Sequence, residues 1–174
     1  NSKTIKSGAN IVKIKGASYL KSSDISVPGD PSSAVFLVVA ALITKNSNIV
    51  IKDIMNDNMR LRALKVLIKM GGNINFIKKT KKKLDIRVKY SSLSNISIPS
   101  KDSTALIDEF PILSIAAACG NGKMSMKGLG ELRYKESNRF LAIEFGLNRC
   151  GINIKAIKDN LEIIGQKTVV GGCE

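Results

Sequence analysis

The sequence predicts an α+β fold in which mixed sheets pack on buried helices, and an internal repeat is the main observation that predicts it. The string ISVP at residues 25–28 recurs as ISIP at residues 96–99, and we expect a short strand at each copy. An apolar run of helical length follows each copy, and two short strands close each repeat. Each repeat therefore reads β-α-β-α-β-β over roughly 70 residues, which favours a sheet packed on helices.

The remaining elements of the two repeats are predicted in the same order. In the first repeat we expect a buried helix, a strand, an amphipathic helix and two strands at residues 34–43, 48–53, 58–70, 73–77 and 84–88. In the second repeat the same elements are expected at residues 110–118, 123–127, 135–150, 152–156 and 161–164. Gly71 and Gly151 end the two amphipathic helices, as is typical of a helix C-cap. A further strand is expected at residues 11–15, ahead of the first repeat.

The buried helix of the first repeat has a clear start signal. Asp30 can cap it, Pro31 suits its first turn, and we interpret the serines at residues 32–33 as part of the cap and not as nucleophiles. The second repeat differs here, because Asp108 and Glu109 place two carboxylates at the mouth of the corresponding helix. This departure from the repeat makes the start of the second buried helix a candidate functional site.

The composition excludes several kinds of chemistry. The chain has 174 residues and no His, which rules out within it a Ser-His-Asp triad and a His-ligated metal. Cys119, Cys150 and Cys173 are widely spaced, so we expect reduced thiols, the first two in the core, and no zinc knuckle. The longest apolar run is shorter than the roughly 20 residues that span a bilayer, so we expect a soluble protein.

The net charge of +14 has three possible explanations. A basic surface could bind nucleic acid, the abundance of Lys could reflect AT-rich coding, or the field could attract small anionic substrates. The basic run at residues 78–83 lies between two predicted strands and contains no aromatic residue to stack on a base. We interpret it as a solvated hairpin turn, which makes nucleic-acid binding the weaker hypothesis.

The densest charged cluster is the string ELRYKESNR at residues 131–139. We expect Lys135, Glu136 and Arg139 in the first turn of the helix that follows. Cations oppose the dipole at a helix start, and they are explained if an anion binds to them and to the exposed backbone N–H groups. From spacing alone, a solvated, salt-bridged helix start is the better explanation.

Three strings in this order resemble the EPSP synthase (3-phosphoshikimate 1-carboxyvinyltransferase) family. They are PGDPSSA at residues 28–34, LIDEFP at 106–111 and ELRYKESNR at 131–139, against a family pattern of approximately PGD-SSA, IDE-P and ELR-KESDR. The resemblance extends over most of the chain. It implies the enolpyruvyl transferase fold, in which each of two domains contains three βαβαββ units, and the internal repeat agrees with this independently.

The resemblance also divides the chain into parts of an incomplete domain. Residues 1–20 would be the tail of a unit from the preceding domain, 21–93 and 94–167 two complete units, and 168–174 the start of a third unit. The family's N-terminal Lys and Arg contacts, its Ser-Ser-Gln stretch and its Asp-His-Arg segment have no counterpart here. We therefore expect the middle of an enzyme, inactive by itself. Asn138 stands where the family usually has Asp, which should affect only the helix start.

The activity that the resemblance implies is transfer of the enolpyruvyl group from phosphoenolpyruvate to the 5-hydroxyl of shikimate 3-phosphate, with release of phosphate. This is a step of the shikimate pathway of aromatic amino-acid biosynthesis. The resemblance implies a cytoplasmic enzyme that uses no metal and no organic cofactor. Its partners would be the two anionic substrates and the remainder of the same enzyme. No membrane partner is expected, and nucleic acid stays the weaker hypothesis.

The resemblance assigns roles to five charged residues. Asp108 would accept the proton of the 5-hydroxyl, and Glu136 would donate a proton to C3 of phosphoenolpyruvate. Lys135 would contact shikimate 3-phosphate and assist proton transfer, and Glu131 would contact the shikimate part. Arg139 would hold phosphoenolpyruvate as a bidentate clamp.

Two alternative functions stay open: one is an enzyme with another substrate, and the other is a protein of another functional class. The UDP-N-acetylglucosamine enolpyruvyl transferases share the fold, the Asp at the helix mouth and a string like NRF at residues 138–140. They do not normally carry the Lys-Glu pair before that string or the IDE-P string. A basic nucleic-acid-binding module is the more distant alternative.

Overall fold

Helices and strands alternate along the chain of the computed structural model, which describes residues 4–6, 12–14, 22–166 and 169. The helices are α1 (Pro31–Ile43), α2 (Arg62–Lys69), α3 (Phe110–Ala118) and α4 (Arg139–Arg149). The strands are β1 (Thr4–Lys6), β2 (Val12–Ile14), β3 (Asn48–Met55), β4 (Asn73–Lys78), β5 (Lys83–Lys89), β6 (Ser97–Ile98), β7 (Lys123–Met126), β8 (Asn153–Ile157) and β9 (Asn160–Ile164). Two 3₁₀ turns cover Ser100–Asp102 and Gly130–Tyr134.

The predicted repeat is visible as two sheets, one in each repeat, and from the first helix onward the elements of both repeats follow the same order. The first sheet has the strand order β3-β5-β4 and is antiparallel throughout. The second has the order β6-β7-β9-β8, in which β6 and β7 run parallel and the other pairs antiparallel. Both predicted closing hairpins, β4-β5 and β8-β9, are confirmed, and β2 pairs with β1 ahead of the first repeat. This is an α+β arrangement of repeated units, and it is the predicted fold class.

The core lies where the two nearly all-apolar helices, α1 and α3, pack on the sheets and on one another. Asp30 caps α1 as predicted, because its carboxylate accepts the backbone N–H groups of Ser32 and Ser33 at 3.3 and 3.0 Å. Pro31 occupies the first turn of α1, where a backbone N–H has no partner within the helix, so proline sacrifices no hydrogen bond there. The Asp30-Pro31 pair, which predicted the start of α1, therefore also stabilises it.

The first predicted strand, at residues 25–28, is not formed as a strand. The next residue, Gly29, makes one parallel bridge, in which its N–H donates to the Asp53 oxygen at 2.8 Å and its oxygen accepts the Met55 N–H at 2.9 Å. Pro28 has no N–H, which limits pairing on its side of the bridge. The equivalent segment of the second repeat does form β6.

Both amphipathic helices begin about one turn later than predicted. Helix α2 begins at Arg62 and not near residue 58, because the Asp57 carboxylate accepts the N–H groups of Met59 and Arg60 in a preceding turn. Helix α4 begins at Arg139 and not at residue 135. Their C-caps are as predicted: the glycine that follows each helix has a positive φ, 94° at position 71 and 74° at position 151.

Within the basic run at residues 78–83, residues 79–82 form the predicted exposed turn of the β4-β5 hairpin, and the two end residues belong to the strands. Cys119 and Cys150 are free thiols but only half-buried, because they end α3 and α4 at the edge of the core. Cys173 and most of residues 168–174 lie outside the described residues. No helix among residues 22–166 is long and apolar enough to cross a membrane.

Candidate active site

The two carboxylates that precede α3 lie in different environments. The Asp108 side chain is 60% exposed on the surface, whereas Glu109 is only 8% exposed. Glu109 is the N-cap residue of α3, and its Oε1 accepts a hydrogen bond from the Ser32 hydroxyl at 2.6 Å. Asp108 is therefore available to a ligand, and Glu109 belongs to the structure that supports it.

Apolar and stacking contacts hold the segment that connects β7 to α4. Leu132, in the 3₁₀ turn, is fully buried. The Arg133 guanidinium lies over the Phe140 ring, 3.9 Å from its centre, and donates to the Lys158 oxygen at 2.7 Å. Its Nε also pairs with Asp159 at 3.3 Å. These contacts hold the backbone of the ELRYKESNR string in place, and with it the other charged residues of the string.

Five charged side chains form one continuous chain of ion pairs, which we call the charged cluster. Lys135 Nζ lies 3.1 Å from Glu131 Oε1 and 3.4 Å from Asp108 Oδ1. Arg139 Nη1 lies 3.4 Å from the same Asp108 oxygen. Arg139 Nη2 donates to Glu136 Oε2 at 2.7 Å. The structure thus brings together all the residues to which the sequence assigned a role, although Asp108 is far from the others along the chain.

The placement of the charged cluster differs from the prediction in one respect. Lys135 and Glu136 lie before α4 and not in its first turn, and Lys135 has an extended backbone. The reason is Asn138, which caps α4 by accepting the Leu141 N–H at 3.1 Å. Asn and Asp are equally effective N-caps, so the replacement of the family's usual Asp preserves this start.

The protonation of the charged cluster follows from its contacts. The hydrogen bond to Glu131, and next the charge of Asp108, raise the pKa of Lys135 above its ordinary value. A backbone N–H, and next the Arg139 charge, lower the pKa of Glu136 below its ordinary value. At neutral pH the Lys135 ammonium therefore carries a proton and Glu136 is a carboxylate. Three carboxylates face two cations.

We expect the pKa of Glu136 to rise when Arg139 is replaced by Gln, because the guanidinium stabilises the carboxylate form. The rise should be partial, since the backbone hydrogen bond that lowers the pKa most remains in place. Titration of the ¹³C side-chain carboxyl signal of Glu136 measures both values. The matched replacement Arg149→Gln, at the other end of α4, should leave the signal unchanged, and an equal shift in both variants would contradict the pairing.

A groove opens beside the charged cluster, between α3 and α4. Its volume is about 670 Å³, and Asp108 and Arg139 are among the residues that line it. The rest of the lining is largely apolar and includes Phe36, Ile115 and Ile143. The charged cluster is therefore bordered on one side by apolar surface.

Sequence reasoning missed two contributors to this region. The Ser32–Glu109 hydrogen bond joins residues 77 positions apart, one in each repeat, and no local pattern signals it. Arg133 belongs to the ELRYKESNR string, but its stacking on Phe140 was not predicted. Arg133 precedes Phe140 by seven residues and lies outside its helix, so the sequence contains no spacing that predicts the contact.

The two repeats share the order α-β-α-β-β, with a leading strand in the second, and the charged cluster lies at the mouth of α3. This is the arrangement of a partial enolpyruvyl transferase fold. The chain belongs to the EPSP synthase (3-phosphoshikimate 1-carboxyvinyltransferase) family, whose model matches residues 3–173.

Relatives and solved structures agree with this membership. The chain is 41% identical over 162 residues to the 3-phosphoshikimate 1-carboxyvinyltransferase of Zymomonas mobilis, covering 91% of this chain and 36% of that protein. It is 35% identical over 170 residues to the enzyme of the same name from Bartonella tribocorum, covering 95% and 38%. The structure of EPSP synthase from Acinetobacter baumannii superposes with a TM-score of 0.84 at 32% identity, covering 97% of this chain and 39% of that one. The chain thus spans well under half the length of these relatives.

Proposed function

We propose that the protein containing this chain transfers the enolpyruvyl group of phosphoenolpyruvate to the 5-hydroxyl of shikimate 3-phosphate. The observation that carries the proposal is the charged cluster, in which Asp108 meets Lys135 and Arg139 at one exposed surface. The relatives named 3-phosphoshikimate 1-carboxyvinyltransferase support it. The proposed partners are the two anionic substrates and the remainder of the same protein, and the proposed compartment is the cytoplasm.

The reaction makes definite demands on the site. C3 of phosphoenolpyruvate gains a proton while the 5-oxygen bonds to C2 and releases its own proton. The tetrahedral intermediate then loses a proton from C3, and the bond from C2 to the phosphate oxygen breaks. A base is needed near the hydroxyl, an acid near C3, and cations near the phosphates and the carboxylate.

The charged cluster offers a group for each demand. Asp108, exposed and held between two cations, is the proposed base for the 5-hydroxyl. Arg139 is the proposed clamp for phosphoenolpyruvate, because its guanidinium can bind a carboxylate or phosphate through two parallel N–H groups. Lys135 is the proposed contact to shikimate 3-phosphate, and Glu131, its partner at 3.1 Å, orients it or contacts the shikimate part.

The proposed acid, Glu136, is ionised in the free site and must gain a proton before it can donate one. An anion bound to Arg139 would compete for the guanidinium that now pairs with Glu136 at 2.7 Å. Losing that partner, meeting a negative ligand and losing water all raise the pKa of a carboxyl group. The contacts that raise the pKa of Lys135 make its ammonium a weaker acid than usual, so the proposed source of that proton is solvent, and Lys135 stays protonated beside shikimate 3-phosphate.

The direct test is phosphate release by a full-length protein that contains this sequence. We expect release to require phosphoenolpyruvate and shikimate 3-phosphate together. Neither substrate alone should support it, and UDP-N-acetylglucosamine should not replace shikimate 3-phosphate. Release that depends on the nucleotide sugar, or no release with the proposed pair, would overturn the proposal.

We expect Arg139→Lys to weaken phosphoenolpyruvate binding more than shikimate 3-phosphate binding. Lysine keeps the charge but loses the planar fork that forms two parallel hydrogen bonds. The loss for phosphoenolpyruvate should be about tenfold, equivalent to one charge-assisted hydrogen bond of roughly 1.4 kcal/mol. Separate calorimetric titrations of the two ligands measure this. Equal losses would show that Arg139 contributes only a general positive field.

A further inference from the structure

The PGDPSSA string at residues 28–34 has no role in the proposed chemistry, yet the structure connects it to the catalytic base. A Cβ on Gly29 would lie 2.7 Å from the terminal methyl group of Ile54, so a larger residue there would displace the end of that side chain. The aspartate of the string, Asp30, caps α1 through the backbone of Ser32 and Ser33. These contacts fix the first turn of α1 and the serines that it carries.

The two serines differ in what their hydroxyls reach. Ser33 Oγ turns back to Asp30 at 3.0 Å and stays within its own turn. Ser32 Oγ instead contacts the second repeat, where it donates to Glu109 Oε1 at 2.6 Å. That distance is at the short end for a hydroxyl-to-carboxylate bond, where such bonds are strongest.

Glu109 is the residue that follows the proposed base Asp108. Its backbone is held on both sides, because its N–H donates to the Leu106 oxygen at 3.0 Å and its oxygen accepts the Leu113 N–H at 2.9 Å. Its side chain is buried and fixed by Ser32. The exposed Asp108 side chain, by contrast, contacts Lys135 and Arg139, both of which the substrates would engage.

We propose that Ser32 and Glu109 are positioning residues, which hold the backbone of Asp108 so that its carboxylate stays aligned with the 5-hydroxyl when substrates occupy Lys135 and Arg139. The inference rests on the proposed function. The path runs from the Asp30 cap through the Ser32 hydroxyl and the buried Glu109 carboxylate to the adjacent Asp108. Misplacement of a reacting group by about 1 Å can cost 10²-fold in rate, so one hydrogen bond at this place has a measurable effect.

The test compares Ser32→Ala with Ser33→Ala in the full-length protein. Both variants remove one hydroxyl from the same turn of α1, but only the first breaks the bond to Glu109. We expect Ser32→Ala to lower kcat about tenfold with the KM of both substrates unchanged, and Ser33→Ala to lower kcat by less than about twofold. The urea midpoint of Ser32→Ala should be the lower of the two, because the buried Glu109 carboxylate loses its partner. Both values of kcat are therefore measured without urea and well below the thermal midpoints, where circular dichroism shows each variant to be fully folded.

A second measurement asks whether Ser32 acts through Asp108. In an Asp108→Ala background, assayed under single-turnover conditions, Ser32→Ala should cause almost no further loss, because the group that it positions is gone. Equal losses with and without Asp108, or equal kcat in the two serine variants, would overturn the inference while leaving the proposed function intact. A wild-type protein without turnover would overturn the proposed function, and the inference with it.

Discussion

Turnover is expected to fall by a factor of about 10² to 10⁴ when Asp108 is replaced by Ala in the full-length protein, the range that removal of a positioned base produces. Binding should not weaken in parallel, because the change frees Lys135 and Arg139 from a carboxylate that now pairs with both at 3.4 Å. We therefore expect kcat to fall while the KM for each substrate stays constant or decreases. Phosphate release at saturating substrate measures the effect.

The fold should tolerate this change, since the Asp108 side chain is 60% exposed and exposed ion pairs contribute about 0–1 kcal/mol. The matched control is Asp24→Ala, which removes an exposed carboxylate from the segment that precedes α1. That variant should keep wild-type kcat. An Asp108→Ala enzyme that keeps most of its activity would remove Asp108 from the mechanism, and a large drop in unfolding midpoint would assign it a structural role.

The 174-residue chain alone is expected to show no phosphate release under conditions in which the full-length protein turns over at an ordinary rate of about 1–10³ per second. The charged cluster contains three carboxylates and two cations, and each cation is already paired. Two substrates that together carry two phosphates and two carboxylates need more positive charge than this surface supplies. A second wall from the remainder of the protein would supply it and exclude water.

The exposed apolar side chains of the helices also indicate that the isolated chain is incomplete, because nothing in the described part of the chain covers them. Phe36, Leu37, Ile115 and Phe145, on α1, α3 and α4, are all exposed. Exposed apolar side chains on three helices favour association, so the isolated chain should sediment as more than a monomer. Circular dichroism shows whether the chain is folded in the assay. Turnover by the isolated chain at the rate of the full-length protein would mean that this surface is a complete active site.

The buried helices could be predicted from the sequence because their signals are local. The apolar run predicted at residues 110–118 is α3 to the residue, and the Asp30-Pro31 pair correctly marked the start of α1. The start of α4 was predicted about one turn too early. Residues 135–138 include good helix formers, but the side chain of Asn138 satisfies the N–H of Leu141 and begins the helix at Arg139.

The site could be predicted only in part, because it joins distant segments. No periodicity brings Asp108 to within 3.4 Å of Lys135 and Arg139, and only the family resemblance placed them in one site. The different environments of Asp108 and Glu109 were not predictable either. They depend on Ser32, which approaches from the other repeat once α1 and α3 pack together.

The measurement that tests this account most directly is a crystal structure of the full-length protein with shikimate 3-phosphate and a non-reacting analogue of phosphoenolpyruvate. We expect the Asp108 carboxylate within hydrogen-bonding distance, about 2.5–3.0 Å, of the 5-hydroxyl. The Arg139 guanidinium should hold the analogue through two nitrogen atoms, with its bond to Glu136 lengthened or broken. Both ligands bound in one site, with neither Asp108 nor Arg139 in contact with either of them, would contradict the account.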